Sequence, residues 1–125
     1  MEYTPGPNGG APFTKFYVYD DNGDRVPRAD LDGGGCTYVP GLCMVCHGGT
    51  EGTVAGGVYS NGGDVGARFL PFDLESFGWL DQNGLRRQDQ EAELKELNRE
   101  VLSTNASAAT VELIEGWYGG AGLPL

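Results

Sequence analysis

Histidine is the rarest chemically useful side chain here: the 125 residues contain one copy, His47. Methionine occurs only twice, as Met1 and Met44. A single imidazole excludes any site that needs two histidines from one chain. It also leaves no second histidine to act as an acid–base group beside a metal that His47 ligates. A metal centre built on His47 must take its other ligands from different residue types, from water or from outside the chain.

Positive charge is also scarce, with eight Lys and Arg against 18 Asp and Glu and a net charge of −10. The basic residues form no cluster, so phosphate backbones and anionic membranes are repelled rather than attracted. No apolar run approaches the roughly 18 residues of a membrane-spanning helix. The opening stretch, MEYTPGPNGGAPF, lacks the basic and apolar segments of a signal peptide. We therefore expect no nucleic-acid binding and no membrane span.

Glycine, in contrast, is abundant: the chain has 22, more than twice the usual share of roughly 7%. Proline and glycine dominate residues 1–12, which indicates a flexible arm or linker, and residues 13–125 then form a single domain. FTKFYVYD, 13–20, has the composition of a strand, and DDNGD, 20–24, predicts the turn of a β-hairpin.

Helical periodicity is confined to the last third of the chain. Residues 86–103 carry apolar side chains at helical spacing, and residues 107–118 form a second helix. The buried face of the first helix is predicted to contain Leu94, Leu97, Val101 and Leu102. Residues 30–66 indicate irregular loop, and 66–80 an aromatic loop packed on an apolar surface. The predicted fold class is mainly α, with a small β-hairpin and long ordered Gly-rich loops.

The stretch CMVCHGG, 43–49, holds two of the three cysteines and the only histidine. In Cys-x-x-Cys-His, two thiols can add across the two vinyl groups of haem, and the following imidazole reaches the iron. The pattern is short but specific, because the two cysteines attach the haem and the adjacent histidine ligates its iron. It predicts one haem c, attached through Cys43 and Cys46, with His47 as the proximal iron ligand.

Other chemistries use the same residues. Cys36, Cys43, Cys46 and His47 form a Cys₃His set, which is a legitimate count for a structural zinc ion in an interaction module. Adjacent Cys46 and His47 would both have to bind one ion, which is sterically awkward. A thioredoxin-like pair needs a βαβ setting, which the sequence does not indicate. A plain disulfide is the remaining alternative.

At CMVCHGG the chain resembles the c-type cytochromes. A wider pattern over roughly residues 13–122 is similar to the haem domain of large exported bacterial cytochrome-like proteins, in the segments KFYVYD, CMVCHGG, GARFLPFDLESF, ELKELNREVL and ELIEGWYGG. The resemblance implies a periplasmic or extracellular location, an export signal that this sequence does not contain, and membership of a larger multidomain chain. Its implied partners are redox proteins or neighbouring haem domains.

The chain also departs from ordinary class I cytochromes c. Those proteins place the haem motif after an N-terminal helix and supply a methionine ligand from a downstream loop. Here the preceding 40 residues are rich in Gly and Pro, and no methionine follows Met44. We therefore expect a small single-haem domain of a different architecture.

The surroundings of the haem can be predicted only in part. Arg68 is the single arginine of the aromatic loop and a candidate partner for a haem propionate, while Phe69 and Phe72 are candidates for packing on the ring. Cys36 has no thiol left to pair with inside the chain if both other cysteines form thioethers. We expect an electron carrier rather than an enzyme, and a haem sensor or enzyme with an open distal site is the alternative.

Overall fold

The computed structural model describes residues 1–50 and 63–120, and between them the backbone of two short strands. Its residues group into two units, Met1–Arg68 and Phe69–Leu125. The elements of the first unit are β1 Glu2–Pro5, β2 Pro12–Lys15, β3 Val18–Tyr19, β4 Arg25–Val26, β5 Arg28–Ala29, β6 Thr37–Tyr38, α1 Gly41–His47, β7 Val54–Ala55 and β8 Val58–Tyr59. The second unit contains a 3₁₀ turn at Leu74–Ser76, then α2 Arg87–Leu102 and α3 Ala108–Trp117.

The longest hairpin joins β1 to β2, in antiparallel register from Glu2 opposite Lys15 to Pro5 opposite Pro12. The ammonium of Lys15 donates to the Thr4 hydroxyl and to the Pro5 carbonyl, both at 2.7 Å. Residues 1–12, whose composition indicates a flexible arm, therefore supply a paired strand and its turn. The Pro- and Gly-rich stretch between the strands reverses the chain instead of extending it.

A second hairpin pairs β3 with β4 around the turn at 20–24, which confirms the turn predicted from DDNGD. The Asp20 carboxylate accepts hydrogen bonds from the backbone N–H groups of Asn22 and Asp24, at 2.9 and 3.0 Å. Such local capping by an aspartate stabilises a turn. The strand predicted at 13–20 is interrupted, because β2 ends at Lys15 and β3 begins at Val18.

The predicted fold class, mainly α with one hairpin and long loops, is wrong. The structure is 36% helical with 15% strand, and the described strands pair into small two-stranded sheets. Residues 30–66, predicted as irregular loop, contain β6, α1, β7 and β8. The physical reason is that many glycines adopt positive φ, which lets the chain reverse sharply between strands too short to show periodicity.

The two helices predicted in the last third are confirmed as α2 and α3. The Asp89 carboxylate accepts from the backbone N–H of Gly84 at 2.9 Å and of Arg86 at 3.3 Å, which satisfies donors at the start of α2. At the start of α3, the Ser107 hydroxyl accepts from the Thr110 N–H at 3.1 Å. No helix among the described residues combines the length and apolar character needed to cross a lipid bilayer.

The core of the second unit forms where α2 and α3 meet. Val101 and Ile114 are 2% and 0% exposed. Partly buried apolar side chains pack around this pair, namely Phe69, Phe72, Leu102, Trp117 and Tyr118. The expectation that the loop at 66–80 packs on an apolar surface is therefore met by Phe69 and Phe72.

The most buried polar residue of this unit is Asn98, which is 0% exposed and which the helical periodicity did not indicate. Its side-chain oxygen accepts from the Phe72 N–H at 2.8 Å, and its amide donates to the Phe72 carbonyl at 3.0 Å. The amide also lies 3.2 Å from the Tyr118 hydroxyl. Leu97, which the periodicity placed on the buried face, is instead 43% exposed.

Replacing Asn98 is expected to destabilise the second unit. Asn98→Ala leaves both backbone groups of Phe72 buried without their partner, at a cost of about 1–3 kcal/mol for an unsatisfied group. Urea denaturation followed by circular dichroism measures the change. Leu97→Ala, on the same helix but exposed, is the control and should change the free energy of unfolding much less. Equal losses in the two variants would contradict this interpretation of Asn98.

Candidate functional site

The Cys-x-x-Cys-His motif lies on α1, the short helix that the sequence analysis did not predict. The helix begins after Pro40, whose carbonyl accepts from the Met44 N–H at 3.1 Å, and it ends at His47. Because residues three apart lie on the same side of a helix, Cys43 and Cys46 present their thiols one turn apart on one face. His47 is the next residue after the second thiol.

All three cysteines are free thiols in this structure. Cys46 and Cys36 are exposed and Cys43 is partly buried. Desolvation by burial raises the pKa of the Cys43 thiol above its ordinary value. Cys43 is therefore protonated at neutral pH, and it reacts more slowly as a nucleophile than its exposure alone would suggest.

The His47 imidazole is held by a backbone carbonyl. Its Nδ1 lies 2.9 Å from the carbonyl oxygen of Arg68. Because a carbonyl oxygen can only accept, Nδ1 must carry the proton, and in the neutral ring the lone pair is then on Nε2. Metal-ligating histidines in proteins usually show this arrangement, with the second nitrogen donating to a carbonyl or carboxylate.

A short backbone pairing around His47 sets this geometry. The Arg68 N–H donates to the His47 carbonyl at 2.9 Å, and the Thr50 N–H donates to the Val65 carbonyl at 2.8 Å. Val65 and Ala67 are buried, at 2% and 1% exposure. Segment 47–50 is thus fixed against segment 65–68, and the imidazole is oriented as a consequence.

Glycine is required at one point of this pairing. Gly49 has φ of +108°, and a Cβ atom built on it would lie 2.4 Å from the Val65 carbonyl oxygen. Its neighbour Gly48 also has positive φ, +66°, but a Cβ there would meet nothing within 4 Å. The two glycines after the histidine therefore have different roles, since only Gly49 permits a close backbone contact.

An aromatic ring completes the surroundings of His47. The Phe16 ring centroid is 5.3 Å from the imidazole centroid, with 58° between the ring planes. Phe16 follows β2 and is distant from the motif in sequence. No local pattern pointed to this contact, and only its apolar aromatic character in FTKFYVYD could have suggested a packing role.

The residues predicted for the site are partly brought together. Arg68 reaches His47 through its backbone groups, and its side chain is exposed. Phe69 and Phe72 pack on the Val101–Ile114 core of the second unit, and their predicted contact with a haem ring stays a prediction. Among the residues that the structure describes, no three His, Cys, Asp or Glu side chains are grouped to hold a metal ion. The Cys₃His zinc alternative therefore receives no geometric support.

Comparison with protein-family models, with curated proteins and with solved structures found no match to this chain.

The close contact between Gly49 and Val65 can be tested through His47, because the NMR signals of the one imidazole show which tautomer is present. Gly49→Ala forces Val65 away from Thr50, so we expect it to weaken the hydrogen bond from His47 Nδ1 to Arg68 and to populate the other imidazole tautomer. Nitrogen-15 NMR of the one imidazole measures the tautomer ratio. Gly48→Ala is the matched control, since it adds the same methyl group at positive φ but without a collision. Identical spectra for the two variants would contradict the role given to Gly49.

Proposed function

We propose that this chain is a c-type cytochrome domain that holds one haem covalently through Cys43 and Cys46 and transfers electrons. The observation that carries the proposal is the orientation of His47: the hydrogen bond of 2.9 Å from Nδ1 to the Arg68 carbonyl leaves the Nε2 lone pair available for a metal. An isolated histidine on a helix has no such requirement.

The two thiols fit the attachment chemistry. Each S–H group would add across one vinyl C=C bond, with sulfur bonded to one carbon, the proton transferred to the other, and no oxidant consumed. Both thiols are free, and they lie one turn apart on α1, directly before the ligand histidine. Cys36 lies outside the motif and takes no part in the attachment.

The chain itself fixes the orientation of His47, the proposed iron ligand. The pairing of segment 47–50 with segment 65–68 holds the imidazole in one tautomer and one orientation before a metal binds. The carbonyl acceptor also increases the electron-donating strength of the ring, which favours the oxidised state of a ligated iron. When bound, haem supplies an iron that alternates between ferrous and ferric states.

The acidic surface restricts the redox partner. With a net charge of −10, the chain attracts a cationic surface and repels an anionic one. By resemblance to exported cytochrome-like proteins, this partner is a redox protein or a neighbouring haem domain, outside the cytoplasmic membrane. A ligand from such a neighbour would complete the iron coordination.

The second candidate function is a haem sensor or enzyme with an open distal face. It is favoured by the composition: His47 is the only histidine, and Met44 lies on α1 between the two thiols that attach the ring. Met1, at the start of the chain, is the one remaining side chain of these two types.

The covalent attachment is tested by expressing the chain in a bacterium that carries a haem c maturation system. We expect one haem per chain that survives denaturing electrophoresis, with a c-type absorption spectrum. The Cys43→Ala/Cys46→Ala double variant should lose covalent haem completely, whereas Cys36→Ala should retain it. Metal analysis of the same samples checks the zinc alternative. A chain that takes up zinc but no haem would overturn the proposal.

The open distal face leads to a separate test on the haem-loaded monomer. Because nothing strong has to be displaced, the ferrous protein is expected to bind CO rapidly and without a slow ligand-release phase. Stopped-flow absorption spectroscopy measures the rate, and near-infrared magnetic circular dichroism identifies the axial ligands. A His–Met or bis-His signature in the monomer would contradict the open site. Loss of a low-spin signal in Cys36→Ser alone would identify Cys36 as the distal ligand.

A further inference from the structure

The first unit contains a large cleft between its hairpins, with a volume of about 1070 Å³. This volume lies just above the roughly 300–1,000 Å³ typical of small-molecule and cofactor sites. The lining is mainly apolar and aromatic, and includes Phe13, Phe16, Tyr17, Val26, Tyr38 and Val39. Such a lining suits a flat, apolar ring system.

The cleft lies beside the haem-attachment motif without including it. Cys43, Cys46 and His47 do not line it, but Phe16 and Pro40 do. Phe16 contacts the imidazole of His47, with 5.3 Å between the ring centroids. Pro40 immediately precedes α1, one turn before the first thiol. A rigid ring attached at the motif and ligated by His47 thus has the Phe16 wall of the cleft at its side.

One cation at this cleft, Arg25, is positioned over an aromatic ring. The Arg25 guanidinium carbon lies 4.4 Å from the centroid of the Tyr17 ring. Arg25 is in no ion pair with another described residue. The other cation lining the cleft, Lys15, donates to Thr4 and Pro5 within its own hairpin.

Two further residues with polar groups, Tyr17 and Thr14, line the cleft. A hydrogen bond with Glu2 raises the pKa of Tyr17, so its phenol stays neutral and serves as the platform for Arg25. The hydroxyl of Thr14, a residue lining the cleft at 1% exposure, is buried without a hydrogen-bond partner. A buried hydroxyl without a partner is rare in folded proteins and commonly indicates an absent ligand or water.

We propose that this cleft receives the haem ring, and that Arg25, held on Tyr17, contacts a haem carboxylate. The inference rests on the proposed function, because the ring is brought to the cleft by its attachment at Cys43 and Cys46. It assigns to Phe16, Tyr38 and Arg25 roles that the sequence analysis gave to the segment beginning at Arg68. The apolar haem ring suits the aromatic lining of the cleft, and the negatively charged haem carboxylate suits the positive charge of Arg25 in an otherwise acidic chain.

The proposed position of the haem ring over the cleft is tested on the haem-loaded protein by tyrosine nitration. Tyr38 lines the cleft and Tyr19 does not, although they are 63% and 59% exposed in the structure. A haem ring over the cleft should slow nitration of Tyr38 several-fold relative to Tyr19, as measured by peptide mass spectrometry. Equal rates at the two tyrosines would overturn the inference.

The cation is tested by comparing Arg25→Gln with Arg28→Gln. Arg28 is in the adjacent strand and does not itself line the cleft, although its guanidinium carbon lies 6.0 Å from the centroid of the Tyr38 ring. Arg28→Gln removes the same charge as Arg25→Gln. Arg25→Gln should lower the haem midpoint potential more than Arg28→Gln does, because a positive charge near the iron disfavours the ferric state. It should also shift the propionate bending band in resonance Raman spectra. Equal effects of the two variants would overturn the role of Arg25.

These outcomes separate the inference from the function on which it rests. A chain that never acquires covalent haem in the maturation experiment contradicts the proposed function, and with it the inference. A chain that carries covalent haem, but whose Tyr38 and Arg25 behave like Tyr19 and Arg28, contradicts the inference alone.

Discussion

The pairing of His47 with Arg68 is the constraint on which the candidate site depends. Two hydrogen bonds, each 2.9 Å, join the two residues: one between backbone groups and one from the imidazole to a carbonyl. They fix which nitrogen of the ring is protonated, and they help to hold segment 47–50 against segment 65–68, where Gly49 approaches Val65 closely. The positions of the α1 thiols follow from this pairing, because the two cysteines precede His47 on the same helix.

The motif itself could be predicted from sequence, but its support could not. Cys43, Cys46 and His47 are adjacent in the chain, and their spacing carries the chemistry. The acceptor for His47 is a backbone carbonyl, which every residue possesses, so nothing in the identity of Arg68 could indicate it. Phe16 contacts the imidazole from a distant part of the sequence, and a single sequence contains no signal for such a contact.

The fold, like the site, could be predicted from the sequence only in part. α2 and α3 have enough turns for apolar side chains to repeat at helical spacing, and the hairpin at 20–24 has a recognisable turn sequence. A strand of two residues such as β6 has no period to detect, which is why the sequence predicts irregular loop over 30–66. Asn98 was missed for a different reason, since an amide on a helix is usually solvated, and here its partners are the backbone of a distant loop.

The hydrogen bonds of Asn98 also have a consequence for motion. One side chain on α2 holds both backbone groups of Phe72 and contacts Tyr118, which directly follows α3. None of these segments can separate from the others without exposing a buried amide or a buried backbone group, so opening one alone is nearly as costly as opening all three. The aromatic loop, α2 and the end of α3 should therefore behave as one cooperative unit of local unfolding, with their slowest amide protons exchanging at a common rate.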